Sequence, residues 1–256
     1  EMKKAERTVR RLREHDEVMD ELANIKTYVM LDDSKTSNFT DLWRNRGSRR
    51  AFILLIWMVT YQQFSGISAI KDYAGLLFKE SNPLLDENIE MVITLSVTVI
   101  ASCLSTLYID RFGRRLILFT SSLAFMIALL AMASFFCLQA TYNISNYSWI
   151  PLISLIIMNA ARSAGFRPLI YVLMSEYYPL KVKATAVTTV YFVGAITESI
   201  NLKLFQIMSD ALGFGPVLFI CLIIYTVGTI IMYIFMPETK NLSLMEVEQL
   251  FERGWK

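Results

Sequence analysis

Six apolar runs, each long enough to cross a lipid bilayer and separated by short connectors, constrain this 256-residue chain more than any other feature. A spanning helix needs about 20 mostly apolar residues. Backbone in hydrocarbon must also satisfy its own hydrogen bonds, which leaves helices or a closed barrel. The runs are 51–78, 89–109, 116–138, 149–175, 185–208 and 216–236. The connectors 79–88, 110–115, 139–148, 176–184 and 209–215 leave no room for an extramembrane domain between spans. The expected fold class is therefore an all-α membrane protein, a six-transmembrane-helix bundle with aqueous helices at both ends. Only 19% of the residues are charged, against about 25% in soluble domains. Residues 1–50 hold 12 of the 25 Lys and Arg and 10 of the 23 Asp and Glu. A charged head on an oily body excludes a disordered chain, a secreted disulfide mini-domain and a nucleic-acid binder with a basic face. The lipid bilayer is the expected partner, and nucleic acid is not.

Lys and Arg crowd alternate connectors, which orients the spans. Arg111, Arg114 and Arg115 sit in one, Lys181 and Lys183 in another, and the head ends in Arg44, Arg46, Arg49 and Arg50. The other three connectors hold Lys79 alone. Both termini are thus expected to be cytoplasmic, in a multi-pass protein of the plasma membrane. Asn143 and Asn146 open two glycosylation sequons on an outward connector, where such sites are used. The sequons at Asn38 and Asn241 fall inside and are expected to stay unused. In the head, 1–50, Ala5, Val9, Leu12, Met19, Leu22 and Ile25 recur at helical spacing, which reads as a cytoplasmic amphipathic helix. In the tail, 237–256, Ser243 and Glu246 form a capping-box pattern ahead of Leu244, Val247, Leu250 and Phe251, a second short helix. Cys103, Cys137 and Cys221 all lie in apolar runs and His15 is the single histidine. That pattern offers neither a disulfide framework nor a metal site, and no cofactor is expected. The chain opens on Glu without a signal peptide, which points to a start further upstream.

Polar residues inside the spans carry the chemistry. In the first span Gln62, Ser65, Ser68 or Ala69, and Asp72 share one helical stripe, with Gln63 and Lys71 on the neighbouring face. Amides and hydroxyls both donate and accept without net charge, which suits a polyhydroxylated solute. Gly66 permits a local break of the kind found at transporter binding sites. The alternative for this stripe is interhelical hydrogen bonding between spans. Lys71, Asp72, Arg162, Arg167, Glu198 and Lys203 are intramembrane charges, functional by default. Some can snorkel to the interface. Arg162 and Arg167 lie mid-span, and Glu198 is the candidate partner for one of them, so a cavity role and a structural ion pair both stand. Asp110-Arg-Phe-Gly-Arg-Arg115 is either a topology signal or a switch. In the second case Gly113 allows a sharp turn and Arg111, Arg114 and Arg115 pair with carboxylates at helix ends, with Glu176 and Lys183 as further members.

Gln62-Gln-Phe-Ser-Gly-Ile67, Asp110-Arg-Phe-Gly-Arg-Arg115, Pro237-Glu-Thr-Lys240 and the following Leu-Ser-Leu-Met-Glu-Val-Glu-Gln-Leu-Phe251 resemble the sugar porter family of the major facilitator superfamily, its insect facilitated trehalose and glucose transporters above all. The resemblance runs over essentially the whole chain. It implies that the head is the linker between two halves and that the six spans are the C-terminal half of the major facilitator fold. The partner would be the missing N-terminal six-helix half. It implies sugar contacts for Gln62 and Gln63, and for Ser68 where the family has Asn. It adds Tyr73 at an aromatic position, Thr98 in place of an Asn, and Tyr171 where the family has Trp. Asp72 departs from that pattern. The family's Gly-Pro-x-Pro-x-Pro-Trp reads Gly165-Phe-Arg-Pro168-Leu-Ile-Tyr171 here, and the absence of two prolines implies a stiffer span. Ser163 replaces a sugar-binding Glu, and Gly194-Ala195 replace an Asn-Trp pair. The conformational switch is better kept, through Asp110, Arg111, Gly113, Arg114, Arg115, Glu176 and Lys183. Together these imply facilitative hexose- or trehalose-type transport by alternating access, and no enzyme activity. Arg162, Arg167 and Lys71 keep a carrier of an organic anion or other non-sugar solute open. The altered sugar positions keep a transport-dead receptor or regulator open.

Overall fold

Helices make up the regular structure among the described residues, with no strand, as backbone in hydrocarbon requires. The structure is a computed structural model. It describes residues 42–43, 46–75, 87–108, 113–142, 147–178, 180–239, 242 and 244–253. Helix α1, Arg46–Gln63, buries Phe52, Leu54, Leu55, Met58 and Val59. It takes in residues 46–50, which hydropathy assigns to the head. The rest of the head helix lies outside the described residues, apart from 42–43.

The first apolar run is two helices rather than one. The chain breaks over Phe64–Gly66 and resumes as α2, Ile67–Asp72. Gly66 adopts φ 77°, a left-handed conformation that glycine takes without steric cost. The break keeps its polar groups satisfied. The Ser65 hydroxyl donates to the Gln62 carbonyl at 2.6 Å, and the Ile67 N–H donates to the Ser65 hydroxyl at 3.4 Å.

Four further stretches follow. These are α3, Glu87–Tyr108; α4, Arg114–Gln139; a composite span of α5, Trp149–Ala161, a π-helical turn, Arg162–Phe166, and α6, Arg167–Glu176; and α7, Leu180–Leu212. Helix α8 covers Phe214–Phe235, and α9, Leu244–Arg253, is the tail helix. Ser243, the expected cap of α9, lies outside the described residues. By length and composition four stretches can cross a membrane: Arg46–Asp72, Arg114–Gln139, Trp149–Glu176 and Phe214–Phe235. Helix α3 contributes a shorter apolar stretch, Val92–Ser105. Helix α7 is 33 residues long but carries Glu198 and Lys203 in its middle.

The composite span differs from the stiff helix that the missing prolines imply. The Arg167 N–H reaches back five residues to the Arg162 carbonyl, one wider than an α-helical bond. Pro168 explains it. Proline has no N–H for the carbonyl of Ala164, and its ring crowds that carbonyl in a regular α-turn. A widened turn just before the proline relieves both problems. Gly165 then lets this span sit on α4, where a Cβ would lie 2.3 Å from the Ser121 Cβ.

Helix α4 packs along α5 and α8, while α1 packs against α7, α8 and α9. The Tyr61 ring, at the end of α1, sits 5.6 Å from Phe166 and 5.7 Å from Tyr225, and Phe125 lies 4.5 Å from Tyr225. These rings join four helical segments in one core. Outside it, Val92, Val99, Ile127, Phe192, Ile207, Ile223 and Ile234 are 61–65% exposed. A surface this apolar suits hydrocarbon or a second bundle rather than water.

Candidate functional site

A cavity of about 250 Å³ opens between α1, the composite span and α7. Helix α1 brings Gln62 and Gln63 to it, the composite span brings Arg162, Arg167 and Tyr171, and α7 brings Tyr191, Gly194, Ala195 and Glu198. The helix break following Gln63 places the amide pair at the end of α1. The π-helical turn sets Arg162 at its start, facing the same space. Gln62 and Gln63 are 6% and 8% exposed. Gln63 Nε2 donates to Glu198 Oε2 at 3.4 Å. Gln62 Nε2 and Gln63 Oε1 have no hydrogen-bond partner among the described residues. A buried amide left unpaired costs about 1–3 kcal/mol, so the cavity favours an occupant that both accepts and donates. A hydroxyl does both.

Glu198 acts on Arg162 through space but forms no close ion pair with it. Among the described residues no carboxylate lies within 4.0 Å of Arg162 or Arg167, and the one hydrogen bond of Glu198 comes from Gln63. Arg162 Nε is buried without a hydrogen-bond partner. Tyr171 faces Tyr191 with ring centroids 6.1 Å apart and planes tilted by 32°. Tyr191 belongs to no motif. Its spacing to Gly194, Ala195 and Glu198 on one helical face is the signal that marks it as a wall residue.

The other expected solute contacts lie elsewhere. Ser68 is buried but does not line the cavity. The Tyr73 ring stacks on Phe205 at 6.0 Å. The Thr98 hydroxyl donates to the Thr94 carbonyl of its own helix at 2.8 Å. Asp72 and Lys203 are exposed. Lys71 is half-buried, within electrostatic range of Arg162, Arg167, Asp72 and Glu198. Asn143 and Asn146 lie outside the described residues.

At one end of the bundle a charged clamp gathers α4, α6 and the start of the tail. Arg114 Nη2 pairs with Glu176 Oε1 at 2.7 Å, the two side chains 11% and 22% exposed. The Thr239 hydroxyl donates to the other oxygen of Glu176 at 2.7 Å. Glu238 caps α4, accepting from the N–H groups of Arg114 at 2.9 Å and Arg115 at 3.1 Å, where the helix dipole favours an anion. Gly113 is extended, φ −64° and ψ 148°, so the turn itself does not need glycine. Its role is to make room, because a Cβ there would lie 2.7 Å from Glu238 Oε2. Arg115 donates to the Tyr233 carbonyl and lies 4.8 Å over the Tyr233 ring. Lys183 Nζ donates to the Ser175 carbonyl at 3.0 Å rather than joining the carboxylates. Asp110 and Arg111 lie outside the described residues. Glu238 and Thr239 belong to the Pro237-Glu-Thr-Lys240 stretch, and only the fold brings them to the clamp. Beside it, burial pushes the Tyr177 phenol well above its ordinary range, with Glu176 and Glu238 adding to the shift. Its ring meets Phe251 of α9 at 4.8 Å. Arg50 Nη1 holds the end of that helix through the carbonyls of Phe251 at 2.7 Å and Glu252 at 3.1 Å.

A family model described as "Sugar (and other) transporter" matches residues 1–251. The facilitated trehalose transporter Tret1 of Bombyx mori is 32% identical over 205 residues, covering 80% of this chain and 41% of its own length. Tret1 of Apis mellifera ligustica is 30% identical over 211 residues, covering 82% and 42%. Among solved structures, the major facilitator proton:xylose symporter XylE bound to 6-bromo-6-deoxy-D-glucose matches with a TM-score of 0.75 at 21% identity. That match covers 98% of this chain and 51% of that one. A double Trp mutant of XylE matches with a TM-score of 0.79 at 20% identity, covering 99% and 52%. At that identity the structures speak to fold, and they show an all-α major facilitator fold. The chain spans about 40% of the length of the curated relatives and half that of the solved structures.

Proposed function

The chain belongs to the sugar (and other) transporter family, an integral membrane family, and from that premise we propose that it forms one six-helix bundle of a two-bundle sugar carrier. The proposed spans are 51–78, 89–109, 116–138, 149–175, 185–208 and 216–236. The head, 1–50, and the tail, 237–256, are placed in the cytoplasm of a plasma-membrane protein. The clamp end of the bundle then faces inward, in keeping with its arginines. The cavity is half of the solute site, and the second six-helix half supplies the opposite wall. Transport proceeds by rocking one bundle against the other around that site. The clamp of Arg114, Glu176, Glu238 and Thr239 holds the inner ends of the spans in one state. Asp110, Arg111 and Lys183 flank it.

The observation that carries this reading is the amide pair. Gln62 and Gln63 are both buried at the cavity, each with an unpartnered polar atom, and sugar hydroxyls match that need. Tyr171 adds an aromatic wall. Ser68, Tyr73 and Thr98 act behind the site, through packing and span geometry, rather than by touching solute. Uptake of labelled hexose and trehalose in cells expressing the full-length protein tests the reading. Gln62→Ala is expected to lower uptake at sub-saturating sugar about tenfold, the worth of one or two hydrogen bonds, at unchanged surface level. Uptake equal to that of the parent protein would overturn the assignment.

A further inference from the structure

We propose that the sugar bound in this cavity carries an acidic group, a carboxylate of the hexuronate type, and that Arg162 receives it. The proposal rests on the sugar-carrier reading above and narrows its substrate class. Its first support is a charge balance. Arg162 and Arg167 face the cavity opposite a single carboxylate, Glu198. Lys71, beside the cavity, is within electrostatic range of both arginines, of Glu198 and of Asp72. On the cavity lining itself two cations meet one anion, and a neutral sugar adds no charge to compensate.

Its second support is the partnering of each group. Glu198 accepts from Gln63, and no carboxylate lies within 4.0 Å of either arginine among the described residues. Arg162 lies at the start of the π-helical turn with its Nε buried and unpartnered. A charge at the depth of a span is costly unless it is paired or faces water, and Glu198 acts on Arg162 only through space. A cation there calls for an anion or water to meet it. The planar guanidinium fork fits a carboxylate through two parallel hydrogen bonds. The remaining requirement is a reader of hydroxyls within reach of the same molecule. Gln62 Nε2 and Gln63 Oε1 supply it on the neighbouring wall. An anion receiver and a hydroxyl reader around one cavity of about 250 Å³ describe a small sugar acid better than a neutral hexose or a plain organic anion.

The experiment compares labelled glucose and labelled glucuronate in cells expressing the full-length protein, with surface level measured through an epitope tag. The expected result is saturable glucuronate uptake, and competition against glucose about tenfold stronger from glucuronate than from unlabelled glucose, the order expected of a hydrogen bond to a charged group. Arg162→Gln is expected to lower the ratio of glucuronate to glucose uptake about tenfold, and Arg162→Lys, which keeps the charge but not the bidentate fork, to lower it by less. Glucose uptake with no glucuronate uptake or competition would overturn the acidic substrate and leave the sugar-carrier reading intact. Uptake of neither, nor of labelled trehalose, would overturn both. Where Arg162→Gln fails to reach the surface, competition on the unsubstituted protein decides the question.

Discussion

Arg114→Ala is expected to abolish net sugar flux while leaving protein at the cell surface. Arg114 and Glu176 form a short, largely buried pair, and the second oxygen of Glu176 is held by Thr239. Removing one member of a buried pair leaves the other charge uncompensated, at about 3–5 kcal/mol. The pair joins α4 to α6, so that energy weights one arrangement of the span ends against another. A shift of that size moves a two-state population by about two to four orders of magnitude. A carrier that must visit both states then stalls in one. Glu176→Gln keeps an acceptor for Arg114 and is expected to lose less than Arg114→Ala. Steady-state uptake and exchange at matched surface levels check this, and uptake within twofold of the parent would show that the clamp does not set the transport cycle.

Gly66→Leu is expected to prevent the first span from assembling. Two independent penalties meet there. The φ of 77° is left-handed, which costs an L-residue roughly 1–2 kcal/mol. The new Cβ would also lie 2.8 Å from Cys221 Sγ on α8, and overpacking a close contact costs about 1–3 kcal/mol more. The sum is a large share of a usual folding free energy. Adding Cys221→Ala removes the clash but not the backbone strain, so the double variant is expected to recover part of the surface protein. Surface biotinylation measures both. Full recovery in the double variant would place the whole effect in the clash, and no loss in Gly66→Leu would mean that the break at Phe64–Gly66 is not held by its backbone geometry.

Some of this was legible in the residues and some was not, and the division has physical causes. Apolar runs mark the hydrocarbon-crossing middle of a helix, so 216–236 falls within two residues of the observed Phe214–Phe235. The same signal says nothing about where a helix continues into polar surroundings, and α7 runs from Leu180 to Leu212, well past 185–208. The break at Gly66 was legible because a glycine inside an apolar span permits one, though its left-handed φ was not. The π-helical turn was not, because its cause is the absent N–H of Pro168 acting on the residues before it. Among site residues, Gln62, Gln63, Arg162, Arg167, Tyr171 and Glu198 meet at one cavity, but motif and spacing could not assign partners. Glu198 reads as an arginine's counter-ion; it acts on Arg162 only through space, and its carboxylate accepts from Gln63. Glu238 sits more than a hundred residues from Arg114 in sequence, and only the return of α8 beside α4 turns a Pro-Glu-Thr stretch into a helix cap. Thr98 shows the converse: a hydroxyl at a promising position is consumed by its own helix, a local competition that sequence position does not reveal.

The central claim is that sugar occupies the cavity between α1, the composite span and α7. Tyr171 lines that cavity and is 48% exposed, so a cysteine there reports occupancy without removing a Gln. In full-length Tyr171→Cys, with the native cysteines replaced, a hydrophilic thiol reagent is expected to label Cys at this position. Saturating sugar is expected to slow the labelling at least several-fold, and Gln62→Ala in the same protein to raise the sugar concentration that gives half-protection about tenfold. Labelling at the same rate with and without saturating sugar, in protein that still transports it, would contradict the account.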